Sequence, residues 1–197
     1  MNELSRIMIV DDNEAIHHDF KRILDRRVAA SSTSLDDLER MLGGKPAAPN
    51  GVTHTTYDLK FSFQGEEAAR TIKEARVDGR PYAVAFVDIR MPPGIDGIET
   101  IARMWESQPE LEIVLCSAYS DYSWDDIVNK LHPGDRLVVL RKPFDPIEVR
   151  QLAACLSEKW LRGRALDDRL RNLEATVQAE VEARLRERTR HEEEQRR

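Results

Sequence analysis

The sequence predicts an α/β domain built on a doubly wound parallel sheet of five strands. Three observations predict it. Short apolar runs alternate along the chain with segments of helical periodicity. Several of those runs lack internal alternation, as strands covered on both faces do. Most of them stop abruptly at a polar or charged residue.

The elements follow in order. Ile7 to Val10 is an apolar run that breaks off at Asp11-Asp12, the pattern of a buried strand. Asn13 is placed to cap a helix with Ile16, Phe20, Ile23 and Leu24 on one face. Leu35 to Leu42 reads as a short helix, and the Gly/Pro-rich stretch 43–51 as an exposed loop. Tyr57 to Phe63 alternates with period two, which suits a strand with one wetter face. Gln64 to Val77 returns to helix.

Tyr82 to Val87 is a continuous apolar run ending at Asp88, as expected of a central parallel strand. Met91-Pro92-Pro93-Gly94 is a turn, and Asp96-Gly97 opens a helix through Trp105. Ile113 to Cys116 is the next strand, ending at Ser117. Asp125 to Leu131 is a short helix broken by His132-Pro133-Gly134. Leu137 to Leu140 is the fifth strand, followed by Arg141-Lys142-Pro143, and a last helix starts near Pro146 and runs on without a break.

Composition narrows the function classes. The chain has 197 residues, 41% of them hydrophobic, enough for one ordinary domain with a remainder. The 34% of charged residues concentrates in the C-terminal forty or so. A net charge of −6 argues against a nucleic-acid surface made by this chain. No apolar run is long enough to span a bilayer and no signal peptide is evident, so a cytoplasmic location is expected. Cys116 and Cys155 lie far apart in apolar segments, and two buried free thiols are expected. His17 and His18 are adjacent, so they point to different faces of a helix and form no metal site; both are expected at the surface.

In an open α/β sheet, ligands sit beyond the carboxyl ends of the strands. Asp11 and Asp12 end the first strand, Asp88 the third and Ser117 the fourth, and Lys142 follows the fifth. A parallel sheet puts all five on one rim. Three carboxylates there repel one another and raise at least one pKa unless a cation intervenes. A hard divalent ion with oxygen ligands resolves the conflict, and Mg²⁺ suits a shell that is half protein and half water. Lys142 adds a second positive charge and Ser117 a hydroxyl donor. Such a rim can hold a tetrahedral dianion attached to Asp88, the chemistry of an acyl phosphate on a carboxylate.

An acidic pair after the first strand, an acceptor Asp followed by Met-Pro and Asp-Gly, a Ser-Ala and a Lys-Pro together resemble the response-regulator receiver family over roughly residues 4–160. The resemblance implies a flavodoxin-like sheet of order 2-1-3-4-5, phosphorylation of Asp88, and a histidine kinase or phosphotransfer protein as partner. It implies that Asp12, Asp88 and the backbone carbonyl of Arg90 ligate Mg²⁺, with Asp11 acting through water. Ser117 would move toward the phosphoryl group and Lys142 would pair with it. The Lys142–Pro143 bond is expected to be cis.

Three departures stand out. Residues 35–57 form an insertion between the first helix and the second strand. The loop Met91 to Gly97 is one residue longer than the usual form. Val139, three before Lys142, stands where the family usually carries an aromatic switch residue. The aromatic segment from Tyr119 to Trp124 is a candidate mobile element in its place.

From Leu166 on, apolar residues fall at Leu166, Leu170, Leu173, Val177, Val181 and Leu185, in steps of four, three, four, four and four. The first steps make a heptad seam and the added four-residue step resembles a stutter. A parallel two-stranded coiled coil over a 161–197 linker helix is expected, after a receiver at 1–160, making the chain a homodimer. The tail from Arg188 lacks seam residues and is expected to fray. No DNA-binding, cyclase or kinase domain fits after residue 160. Either partners bind the receiver directly or the chain is the N-terminal piece of a longer protein. The open-ended coiled coil favours the second, with a histidine kinase or a cyclic-di-GMP enzyme as the expected output. The alternative is a degenerate receiver serving as a constitutive dimerisation module.

Overall fold

The computed structural model describes residues 4–25, 56–118 and 124–195. The expected helix at Leu35–Leu42, the loop at 43–51, most of the 35–57 insertion and the Tyr119–Ser123 part of the aromatic segment lie outside them. Two compact units divide the chain, Met1–Trp160 and Leu161–Arg197.

In the first unit, β1 (Ser5–Val10), β2 (Tyr57–Ser62), β3 (Val84–Asp88), β4 (Glu112–Ser117) and β5 (Leu137–Arg141) form one sheet. The strand order is β2-β1-β3-β4-β5 and every pair is parallel, the flavodoxin-like order expected. The connecting helices are α1 (Glu14–Leu24), α2 (Gly65–Val77), α3 (Gly97–Ser107), α4 (Trp124–Leu131) and α5 (Pro146–Gln195). The third strand starts at Val84 rather than Tyr82, because the Tyr82 backbone is bonded instead to the Gln108 side-chain amide on both its N–H and its carbonyl.

Alternation along the central strands builds two cores. Met8, Val10, Ala85, Val87, Ile113 and Leu115 face α2, α3 and α4, which bury Ile72, Ile101, Met104 and Ile127 there. Ile7, Ile9, Val84, Phe86 and Val114 face α1 and the start of α5, which bury Phe20, Leu24, Val149, Ala153, Leu156 and Trp160. Each fully buried side chain of this kind contributes about 1.5–3 kcal/mol, and the two layers hold the strand ends in fixed register.

Two expectations are corrected here. His17 is buried, not at the surface: it lies between the Phe61 and Phe63 rings, with centroids 5.1 and 4.5 Å away. Burial lowers its pKa, against the opposing pull of Asp11. The inward face of α1 runs 17, 20, 24, so one of two adjacent histidines had to point at the sheet. Cys116 is buried as expected but Cys155 is exposed, because the inward face of α5 runs through Ala153 and Leu156 and leaves position 155 outside.

In the second unit, α5 continues as helix to Gln195, past Arg188, where fraying was expected. Leu161, Leu166, Leu170, Leu173, Val177 and Val181 are 43–61% exposed. No helix among the described residues is long and apolar enough to cross a membrane.

Candidate functional site

β1 ends one residue before Asp11, and β3 ends on Asp88, its immediate neighbour in the sheet. Parallel pairing of these two strands brings Asp11, Asp12 and Asp88 together at one rim. Ligand oxygens of all three lie within 4.8 Å of one another. Asp11 and Asp88 are buried and Asp12 is exposed, so the cluster has a closed floor and one carboxylate open to solvent.

Lys142 reaches the same floor from the end of β5. Its Nζ stands 2.7 Å from Asp11 Oδ2 and 2.7 Å from Asp88 Oδ1. The ammonium thus bridges two carboxylates that would otherwise repel. Burial works against the lysine's charge, but its contacts with Asp11 and Asp88 outweigh that and its pKa is raised. The Asp88 pKa is also raised. Burial is the main cause and Asp11 adds to it, while Lys142 and the backbone N–H of Arg90 pull the other way. Mutual repulsion, the cause inferred from sequence, is the smaller contribution.

Asp11 is held from both sides. Its Oδ1 accepts the Asn13 backbone N–H at 2.9 Å and its Oδ2 takes the lysine. Asn13 in turn caps α1 by accepting the Ala15 N–H. The sequence signal for this turn is the Asp-x-Asn spacing, since Asp side chains bond the backbone two residues on.

Ser117 ends β4 on this rim, with its hydroxyl donating to the Ala118 carbonyl at 2.8 Å. The Lys142 backbone N–H donates to the Ser117 carbonyl, also at 2.8 Å, tying the ends of β4 and β5 together. The Lys142–Pro143 bond is cis, and so is Pro92–Pro93. Arg90 is exposed, and its backbone faces Asp88 through the amide just noted. Val139 is half-buried in β5 opposite Leu115, three residues before Lys142. Trp124, first residue of α4, is 53% exposed.

The sequence reading overlooked the part played by Gly97. Its N–H donates to the Ile89 carbonyl at 2.8 Å. A Cβ there would lie 2.3 Å from the Asp88 carbonyl oxygen and 2.9 Å from Ile89 Cα. The first turn of α3 thus presses directly on the backbone that carries Asp88, and only a residue without a side chain permits it. Asp96 caps that helix by accepting the Glu99 N–H.

Comparison with known proteins agrees with this fold. The sequence model of the response regulator receiver domain matches residues 50–154, more than half of the chain. No curated protein sequence matches it. Among solved structures, a CheY-like response regulator receiver domain protein from Methanospirillum hungatei JF-1 is similar at 19% identity and TM-score 0.57, covering 82% of this chain and 99% of that one. The signal receiver domain of an HD domain-containing protein from Pseudomonas fluorescens Pf-5 is similar at 16% identity and TM-score 0.56, covering 84% and 95%. An adenylate cyclase structure from Rhodopirellula baltica is similar at 17% identity and TM-score 0.59, covering 86% and 98%. At these identities the structures speak to the fold. The family match begins after β1 and α1, so Asp11 and Asp12 lie outside it; the parallel pairing of β1 with β3 restores them to the rim. With its fold, its acidic rim and its sequence match in agreement, the chain belongs to the response regulator receiver domain family.

Proposed function

We propose that this chain is a phospho-accepting receiver module of a two-component signalling protein, with Asp88 as the acceptor. The observation that carries this reading is the Lys142 ammonium held against both Asp88 and Asp11, beside an exposed Asp12. A buried carboxylate with a cation already at one oxygen is prepared for added negative charge. The donor is a phosphohistidine of a histidine kinase or phosphotransfer protein: its N–P bond breaks as the bond from an Asp88 carboxylate oxygen to phosphorus forms. The imidazole nitrogen then takes a proton from solvent.

The donor set fits Mg²⁺, being all hard oxygen with one solvent-facing carboxylate. Asp12, Asp88 and the Arg90 carbonyl would hold the ion, with Asp11 reaching it through water. Bound there, Mg²⁺ neutralises charge on the transferring phosphoryl group. Lys142 orients Asp88 and pairs with the product, and Ser117 swings from the Ala118 carbonyl to the phosphoryl oxygens. Val139 cannot perform the rotamer swing of an aromatic residue, so the phosphorylated state is read out by another route than that swing.

In this reading the chain is not an enzyme in the usual sense, since it accepts a phosphoryl group and slowly loses it. Residues 1–160 form the receiver and 161–197 a coiled-coil linker helix that joins two copies in the cytoplasm. The homodimer relays the state to an output domain such as a histidine kinase or a cyclic-di-GMP enzyme. Neither nucleic acid nor membrane is a partner of these residues.

The test is incubation with Mg²⁺ and acetyl phosphate, beside Asp88→Asn, read by intact mass and oligomeric state. A phosphoryl adduct on the wild type alone supports Asp88 as acceptor. No adduct, together with no binding of beryllofluoride, would mean a degenerate receiver that acts only as a dimerisation module.

A further inference from the structure

The unit from Leu161 onward is a helix with an exposed apolar stripe. Leu166, Leu170, Leu173 and Val177 are each about half exposed or more. Their spacing of four, three and four assigns heptad positions: Leu170 and Val177 at a, Leu166 and Leu173 at d. The flanking e and g positions are then fixed as well. Arg162 and Arg169 fall at g, and Asp167 and Glu174 at e. Asp167, Arg169 and Glu174 are exposed, as is Arg162.

The signs decide orientation. In a parallel pair in register, a g residue meets the e residue five positions on in the other helix. That rule sets Arg162 against Asp167 of the partner subunit and Arg169 against Glu174 of the partner subunit. By symmetry each contact occurs twice, giving four attractive pairs. In an antiparallel pair g faces g and e faces e, which sets arginine against arginine and acid against acid. A one-heptad shift of the parallel pair removes the apolar partners at one end and breaks half of the ladder. The stripe therefore specifies its own cover.

We infer that the exposed face from Leu166 to Val177 docks on a second copy of itself, parallel and in register, selected by the Arg162–Asp167 and Arg169–Glu174 ladders. This rests on the homodimer reading above and adds its geometry and the residues that choose it. The apolar seam supplies affinity, and the charges exclude the reverse orientation and other helices of unlike pattern. Gly163, at the a position that opens the seam, has nothing within 4 Å of where a Cβ would lie. It contributes no knob, so the specified contact starts at Leu166.

The experiment uses the full chain in a Cys155→Ser background, with and without acetyl phosphate and Mg²⁺. Leu170→Cys and Val177→Cys are made singly, and disulfide-linked dimer is scored under mild oxidation beside the mass of the native species in sedimentation. A parallel in-register pair crosslinks efficiently at both positions. An antiparallel pair brings at most one of them beside its own copy, so a dimer that crosslinks at one position or neither overturns the inference while leaving the dimer reading intact. A chain that stays monomeric under both conditions overturns both. As a second measurement, Arg162→Glu with Arg169→Glu makes all four flanking residues acidic. This variant is expected to lose the dimer at least tenfold in dissociation constant and to regain it when mixed with Asp167→Lys/Glu174→Lys. An unchanged dimer in the first variant would show that the ladder selects nothing.

Discussion

Lys142 holds its Nζ at the same 2.7 Å from Asp88 Oδ1 as from Asp11 Oδ2, so one ammonium is shared between two buried carboxylates from different strands. The contact closes a path from β1 through β5 to β3, across the middle of the sheet. It also gives the rim a cation of its own, which keeps Asp88 from being left as an uncompensated buried charge. A divalent ion at Asp12 and Asp88 would then be an addition to a site already partly balanced.

That balance makes a prediction for Lys142→Met. Without the ammonium, Asp11 and Asp88 face each other unscreened, and the protein is expected to lose roughly 2–4 kcal/mol of stability, a little below the usual loss for a broken buried pair because the lysine is partly exposed. Part of the loss is recovered by a divalent ion, because binding to the folded state alone stabilises it. Urea unfolding with and without Mg²⁺ checks this: the Mg²⁺-dependent gain should be larger in the variant. Equal gains would mean that the lysine and the ion do not share the same carboxylates.

Gly97→Ala tests the pressure of α3 on the backbone of Asp88, the proposed acceptor. The added Cβ would meet the Asp88 carbonyl oxygen at 2.3 Å, and both nearest groups are backbone, which cannot swing aside. A cost of about 1–3 kcal/mol is expected from overpacking. The acceptor moves with its own backbone, so the yield of phosphoryl adduct should fall by more than the loss of folded protein explains. A variant with normal adduct yield and a normal unfolding midpoint would mean that the helix relaxes without disturbing Asp88.

How much of this was legible beforehand follows from what each kind of residue reports. The strands at Ile7–Val10 and Ile113–Cys116 were legible because burial on both faces leaves an unbroken apolar run that only a central strand explains. The rim followed from topology: once the strands are parallel, Asp11, Asp88 and Lys142 must share an end. Contacts made by burial itself were not legible. That His17 faces the sheet follows from its place three before Phe20 and seven before Leu24 on the inward face of α1, which reading adjacent histidines as surface residues passed over. The exposure of Cys155 depends in the same way on the phase of α5. Gly97 reads as an ordinary turn glycine until the distance to Asp88 is known. Glu112, a charged residue opening a buried strand, is anchored by a lysine forty-seven positions away, a pairing no local pattern announces.

The two cysteines should separate cleanly by reactivity. Cys116 is fully buried, and burial pushes its thiol up to about 12, so almost no thiolate is present at neutral pH. Cys155 is exposed on α5. A thiol-specific reagent is expected to label one site rapidly in the native protein and two after denaturation, with peptide mapping assigning the first to Cys155. Rapid native labelling of Cys116 would require β4 to open far more readily than its packing between two cores implies.

The last prediction concerns Glu112, which is 4% exposed at the start of β4. Lys159 of α5 reaches it at 3.0 Å and also binds the carbonyl of Asp135 at 2.6 Å and its carboxylate at 3.1 Å. Burial raises the Glu112 pKa, and Lys159 offsets only part of that. A carboxyl whose folded pKa is raised costs stability above that pKa, and the cost is relieved as pH falls through it. Glu112→Gln removes this titration. The variant should therefore be at least as stable as the wild type at neutral pH, and its advantage should shrink as the pH falls through the raised folded pKa of Glu112 toward the usual glutamate range. Lys159→Met does the opposite, leaving the buried carboxylate without its cation, so its destabilisation should be largest at neutral pH and fade in acid. Chemical unfolding of the three proteins across this range decides the matter: parallel stability curves would mean that Glu112 keeps one protonation state in folded and unfolded chains alike.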